Sequence, residues 1–212
     1  MSTVFYNLFT VTGKRDAVRA VCADARRPIA GKLSKTIGTR QIDWSFEKLF
    51  ESHPALSVIC GVPPSDEWHY GVSAGTVSRW GRFSRARFRL EVKNYQIHEM
   101  LRPLSKFYPA LCFVNAELCL DDGTVMSAFA HRGRGTMWNL PQRRTDAQWK
   151  RAAVAHKVSD MDDAYEDDDV RDDAEFAMLL EALAHWDERV RHDLVARIHR
   201  EGASRTTARR GR

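Results

Sequence analysis

The order of periodicities along the chain predicts an α+β domain, and three observations carry that reading. Strand-like and helix-like segments alternate between residues 4 and 131, and some strand candidates follow one another directly, as antiparallel neighbours do. A long apolar stripe at three- and four-residue spacing then marks a helix near the end. With 212 residues, 43% apolar and 29% charged, the chain falls in the globular range and suits one medium domain with an appendage. No run of about 18 apolar residues is present, which excludes a membrane-spanning helix. Met1 to Thr12 lacks the basic start and apolar stretch of a secretory signal.

Val4 to Val11 is aromatic and β-branched and closes on Thr12-Gly13, a first strand. A helix follows from about Lys14 to Arg26, with Ala17, Val18, Val21, Cys22 and Ala25 on one face, and Pro28 ends it. Residues 28–67 read as an insertion with one or two helical turns around Trp44 to Phe50, punctuated by Pro54, Pro63 and Pro64. His69 to Trp80 is a glycine-interrupted strand candidate. Ala86 to Val92 alternates Phe88, Leu90 and Val92 against Arg87, Arg89 and Glu91, a half-buried strand. A helix from about Tyr95 to Lys106 carries Ile97, Met100, Leu101 and Leu104 on one face, and Pro103 should kink it or end it early. Leu111 to Leu120 and Thr124 to His131 form a hairpin about Asp121-Asp122-Gly123. This order describes a ferredoxin-like antiparallel sheet with two packed helices, an insertion after the first helix and an added hairpin strand. We place this domain at residues 1–157.

The net charge of +5 conceals three blocks: +11 over residues 1–158, −9 over 159–175, and +3 over 176–212. Residues 158–175 therefore read as a solvated acidic linker, or as a tethered polyanion that competes for the basic body. Residues 176–201 read as an amphipathic helix whose stripe includes Phe176, Leu180, Leu183, Val190 and Leu194. Exposed to water that stripe would be adhesive, so it needs a surface: an interaction partner or a second copy of the chain. Gly202 closes the helix, and residues 202–212 read as a basic disordered tail.

No P-loop, dinucleotide fingerprint, zinc-protease motif or nucleophile elbow occurs, so no catalytic residues are assigned. His98 has no Ser or Cys partner evident from sequence. Cys22, Cys60, Cys112 and Cys119 include no C-x-x-C pair, which favours a reducing cytoplasm and gives neither a metal site nor a cofactor. The basic residues are more telling. Arg79, Arg82, Arg85, Arg87, Arg89 and Lys93 are interleaved with Trp80 and Phe83, and alternation aims Arg85, Arg87 and Arg89 to one sheet face. His131-Arg132-Gly133-Arg134-Gly135 could bring two guanidinium forks to a phosphate, or be a simple exposed loop. Arg82, Arg85, Arg87, Arg89, Arg132 and Arg134 are the candidate contacts for single-stranded nucleic acid or an acidic protein, against the alternative of a solvated face.

Several blocks, in order, resemble a YubB-like family with a ferredoxin-like domain, found on bacterial plasmids and phages. They are Tyr6-Asn7-Leu8 with Gly13, Trp44-Ser45-Phe46-Glu47-Lys48-Leu49 before Pro54, Trp68 with Tyr70-Gly71-Val72-Ser73-Ala74, and Leu104-Ser105-Lys106-Phe107-Tyr108-Pro109 with Leu111-Cys112-Phe113. Asp122-Gly123 and the Gly133/Gly135 stretch complete the set, over roughly residues 5–135. Lys93-Asn94-Tyr95-Gln96 stands where the family has Trp-Ser-Pro-Pro. The resemblance implies the fold and a bacterial, cytoplasmic mobile-element setting, and it implies no activity. The expected function is thus a non-enzymatic accessory protein of a plasmid or phage that binds nucleic acid or an acidic partner through a basic sheet face. The alternative is an interaction or inhibitor module that docks through its C-terminal helix.

Overall fold

The aromatic, β-branched run at the start becomes β1 (Val4–Gly13), the middle strand of a seven-stranded sheet. The computed structural model describes residues 4–25, 40–42, 44–61, 75–93, 96–119, 121 and 123–196. After β1 come α1 (Arg15–Asp24), β2 (Arg40–Ile42), α2 (Phe46–Ser52), α3 (Pro54–Cys60), β3 (Gly75–Trp80) and β4 (Phe83–Lys93). Then follow α4 (Ile97–Phe107), β5 (Leu111–Cys119), β6 (Val125–His131), β7 (Arg134–Asn139), α5 (Gln142–His156), α6 (Met161–Glu166) and α7 (Asp168–Ala184). A last helix spans residues 187–196. The sheet order is β2-β3-β4-β1-β5-β6-β7, with every pairing antiparallel. The α+β class is as the sequence predicts, on a wider sheet. The Trp68 to Ala74 block, the ends of the insertion and residues 197–212 lie outside the described residues.

At β5 both faces of the sheet are covered, which explains why that strand is largely apolar rather than alternating. On the first face Phe9 lies 5.0–6.2 Å, centroid to centroid, from Trp44, Phe46, Phe88 and Phe113. Helices α1 and α4 complete that core with Val18, Val21, Ile97, Leu101 and Leu104. The insertion supplies α2 and α3. Ser45 caps α2 by accepting from the Lys48 N–H at 3.2 Å, and α3 begins on Pro54 and closes on Gly61 at φ +68°. Helix α4 continues through Pro103 to Phe107, so the early end is not realised.

The second face revises the C-terminal expectations. The acidic segment is not a linker: residues 161–166 form α6, and α7 begins at Asp168, ahead of Phe176. Asp160 and Asp167 cap these two helices, each accepting backbone N–H groups at 2.8–3.0 Å. Acids crowd the first turns, where the helix dipole favours them. The apolar stripe is not free either. Leu183, Val190 and Leu194 are buried, with Phe176 and Leu180 half-buried, in a core with Leu8, Val114, Ala116 and Phe129 of the sheet. Trp186 donates its indole N–H to Ser127 Oγ at 2.9 Å across the same interface. The surface that the stripe requires is this chain's own sheet, which removes the apolar face expected to hold an external partner or a second copy.

Strands β2 and β7 and helix α5 have no counterpart in the sequence reading. Strand β7 follows β6 after a two-residue turn at Arg132 (φ +54°) and Gly133 (φ +74°). Helix α5 packs on α7 and buries only Thr145, Gln148, Ala152 and Ala153.

Candidate polyanion-binding face

Antiparallel register fixes which side chains share the second face. Arg85 lies beside Thr12 and Ser78, Arg87 beside Thr10 and Thr76, and Arg89 beside Leu8. Thr76 and Ser78 on β3 are exposed, so the β3–β4 flank of this face is open where α7 and the last helix cover β5 and β6. The alternation read from the sequence thus brings three arginines into one row at the border between covered and open sheet.

The three differ in what they touch. Arg85 is buried; its Nη2 donates to Asp187 Oδ1 at 2.7 Å, its Nε to Thr12 Oγ1 at 3.3 Å, and its guanidinium lies 4.0 Å from the Trp80 ring centroid. Arg89 is exposed, with its guanidinium 3.7 Å from the centroid of Phe176. Arg87, between them, is half-buried, and among the described residues it makes no ion pair and its buried Nε has no hydrogen-bond partner. Burial, and after it the like charge of Arg85, push its pKa down, with Asp187 acting the other way. Desolvated beside a like charge, such a guanidinium would be stabilised by an anion.

Arg82 is exposed at the β3–β4 turn, next to Gly81 at φ +60°. Arg132 and Arg134 are elsewhere. Arg134 pairs with His131, which continues the row Arg85–Thr12–Cys112–His131 across the sheet. Four strand steps of about 4.8 Å put Arg134 roughly 19 Å from Arg85. The last helix lies between, with Asp187 on Arg85 and Asp193 Oδ2 3.4 Å from the buried His131 Nδ1. The six candidate arginines are therefore divided between the two sides of the last helix. The Arg-Gly alternation is also not a phosphate loop: it is the tight β6–β7 turn, whose Gly133 N–H donates to Ser105 Oγ at 2.9 Å. Nor do residues 159–175 mask the arginines, since the cis contacts come from Phe176 and Asp187. Asp172 and Glu175 instead lie near Tyr6, whose pKa is raised by burial and by Glu91, Glu175 and Asp172.

Sequence reasoning missed Asp187, Thr10 and Thr12. The threonines were legible as face-sharing residues only once β1 and β4 were paired in register. A second polar group lies under α4, where Asn115 Nδ2 donates to Asn7 Oδ1 at 2.8 Å and His98 Nδ1 is 3.3 Å from Glu117 Oε1. Among the described residues no cluster of His, Cys, Asp and Glu could hold a metal ion, and no helix is long and apolar enough to cross a membrane. The chain matches none of the protein-family models, curated proteins or solved structures with which it was compared.

Proposed function

We propose that the protein is a binding protein, not an enzyme, whose β4 row of Arg85, Arg87 and Arg89 contacts the phosphates of single-stranded nucleic acid. The observation that carries the reading is Arg87: a half-buried guanidinium whose Nε has no partner among the described residues, flanked by two further arginines on a sheet face that is open toward β3. Trp80, partly buried at the β3–β4 turn, and the exposed hydroxyls of Thr76 and Ser78 supply a ring and polar contacts beside the row. The order β3-β4-β1-β5, with α1 and α4 on the opposite face, supports assigning a ferredoxin-like core to the middle of the sheet. The plasmid or phage setting, and with it the bacterial cytoplasm, rests on the family resemblance alone.

Fluorescence anisotropy with a labelled single-stranded oligonucleotide tests this. The full chain should bind at about 50 mM salt and weaken linearly in log–log form as salt rises. Arg87→Glu should weaken binding and lower the salt slope by about one per lost phosphate contact. Asp187→Asn should free Arg85 and tighten binding. Absence of binding at low salt, or an Arg87→Glu variant that binds as the parent does, overturns the assignment. Capture of poly-glutamate but not oligonucleotide would reassign the row to an acidic protein partner.

A further inference from the structure

Helices α5 and α7 run antiparallel, with Arg144 and Gln148 opposite Glu181 and His156 opposite Asp173. Between them lies a cleft of about 610 Å³ lined by Arg143, Arg144, Ala147, Gln148, Arg151 and Glu181. Its volume is within the range of small-molecule sites.

The charge inside it is unbalanced. Arg144 and the Gln148 amide (Nε2 at 2.5 Å) engage the two Glu181 oxygens. Burial raises the pKa of Glu181, and the Arg144 and Gln148 hydrogen bonds, with the charges of Arg144 and Arg151, lower it by more, so the group remains ionised. Its one negative charge pairs directly with Arg144 and is felt more weakly by Arg151, so three arginines face a single carboxylate. Arg143 and Arg151 are exposed and make no ion pair among the described residues. Glu181 is the only acid among the residues that line the cleft, and Arg144 and Gln148 hold both of its oxygens; Asp173 pairs with His156, five residues or roughly 7.5 Å along α5 beyond Arg151.

Arg143, Ala147 and Arg151 recur every four residues and so form one stripe on α5. The two guanidinium groups stand on Cα atoms roughly 12 Å apart, with the small Ala147 leaving room between them. Guanidinium forks pair bidentately with phosphate, and a single orthophosphate would reach only one of two groups so separated. We propose that this cleft is a binding site for a small ligand carrying two or more linked phosphates, with Arg143 and Arg151 as its two forks. Glu181 is a positioning residue that holds Arg144 and Gln148 as the inner wall. The site uses none of the β4 arginines and stands apart from the nucleic-acid reading.

Isothermal titration of the full chain with inorganic tripolyphosphate tests this, with orthophosphate as the comparison. Tripolyphosphate should bind one to one and at least tenfold more tightly than orthophosphate. The double variant Arg143→Gln, Arg151→Gln should lose at least tenfold in that affinity with an unchanged melting temperature, because both side chains are exposed. Arg87→Glu should leave tripolyphosphate binding intact. No binding at millimolar tripolyphosphate, equal affinity for orthophosphate, or retention of affinity in the double variant overturns the proposal. If the double variant loses oligonucleotide affinity to the same degree, the cleft belongs to the nucleic-acid path and the separate small ligand is refuted.

Discussion

Glu117, Asn115 and Asn7 are each at most 2% exposed, and the polar atoms they bring under α4 depend on one another. Glu117 accepts from Asn115 and faces His98, so truncating it takes one acceptor from the buried Asn115 amide and the partner of the half-buried His98 ring. Glu117→Ala should cost about 1–3 kcal/mol, read as a lower urea midpoint with an unchanged slope. An unchanged midpoint would mean the network contributes nothing. His185 shows a different residue-scale effect. Its ring stacks on Trp138 at a centroid distance of 4.1 Å, and burial lowers its pKa. Below the ordinary histidine value of about 6.5 the unfolded chain takes up a proton that the folded ring resists. Stability from this stack is therefore complete above that pH and lost as pH falls through it. The melting temperature of the parent should drop relative to His185→Phe below about pH 6.5, with a constant gap at neutral pH and above. A gap that is flat across the range would show that His185 is not desolvated.

At the scale of elements, what could be read from the sequence depended on how each segment is buried. β1, the second half of β4, β5 and β6 were legible because their β-branched and aromatic runs face cores on one or both sides. β7 was not, because an edge strand beginning Arg134-Gly135 has the composition of a loop, and only its pairing with β6 reveals it. α5 buries small and polar residues, so its apolar period is faint. The acidic run concealed its buried positions Ala164, Val170 and Ala174 among ten carboxylates that usually signal solvent. The candidate site was partly legible: alternation gave the arginine row, but neither periodicity nor charge could place Asp187 on Arg85. The β6–β7 turn can be checked directly. Arg132 and Gly133 both occupy the left-handed region, and a Cβ on Gly133 would meet Lys106 Cβ at 3.3 Å. Gly133→Val should cost about 1–2 kcal/mol in thermal denaturation, while Arg132→Asn should be neutral or stabilising. A neutral Gly133→Val would mean that the turn relaxes to another type.

At the scale of the whole molecule, one sheet organises two cores, and they come from distant parts of the sequence. The first is built from β1, α1, the insertion and α4. The second needs Met178, Leu179, Leu183, Trp186, Val190 and Leu194, all beyond residue 157. The sequence divides at that point by charge, but the packing does not divide there. A fragment of residues 1–157 keeps the first core and leaves Leu8, Cys112, Val114, Ala116 and Phe129 facing water on a broad apolar sheet surface. That fragment should bind the dye ANS and melt without cooperativity, whereas the full chain should melt in a single transition. Leu183→Asp in the full chain probes the same core at one point, because it buries a carboxylate where 4% of the leucine was exposed. It should cost more than about 3 kcal/mol, far beyond any effect expected of an exposed docking residue. A fragment that melts cooperatively at the full chain's temperature, together with an undisturbed Leu183→Asp variant, would return the C-terminal helices to the role of a detachable interaction module.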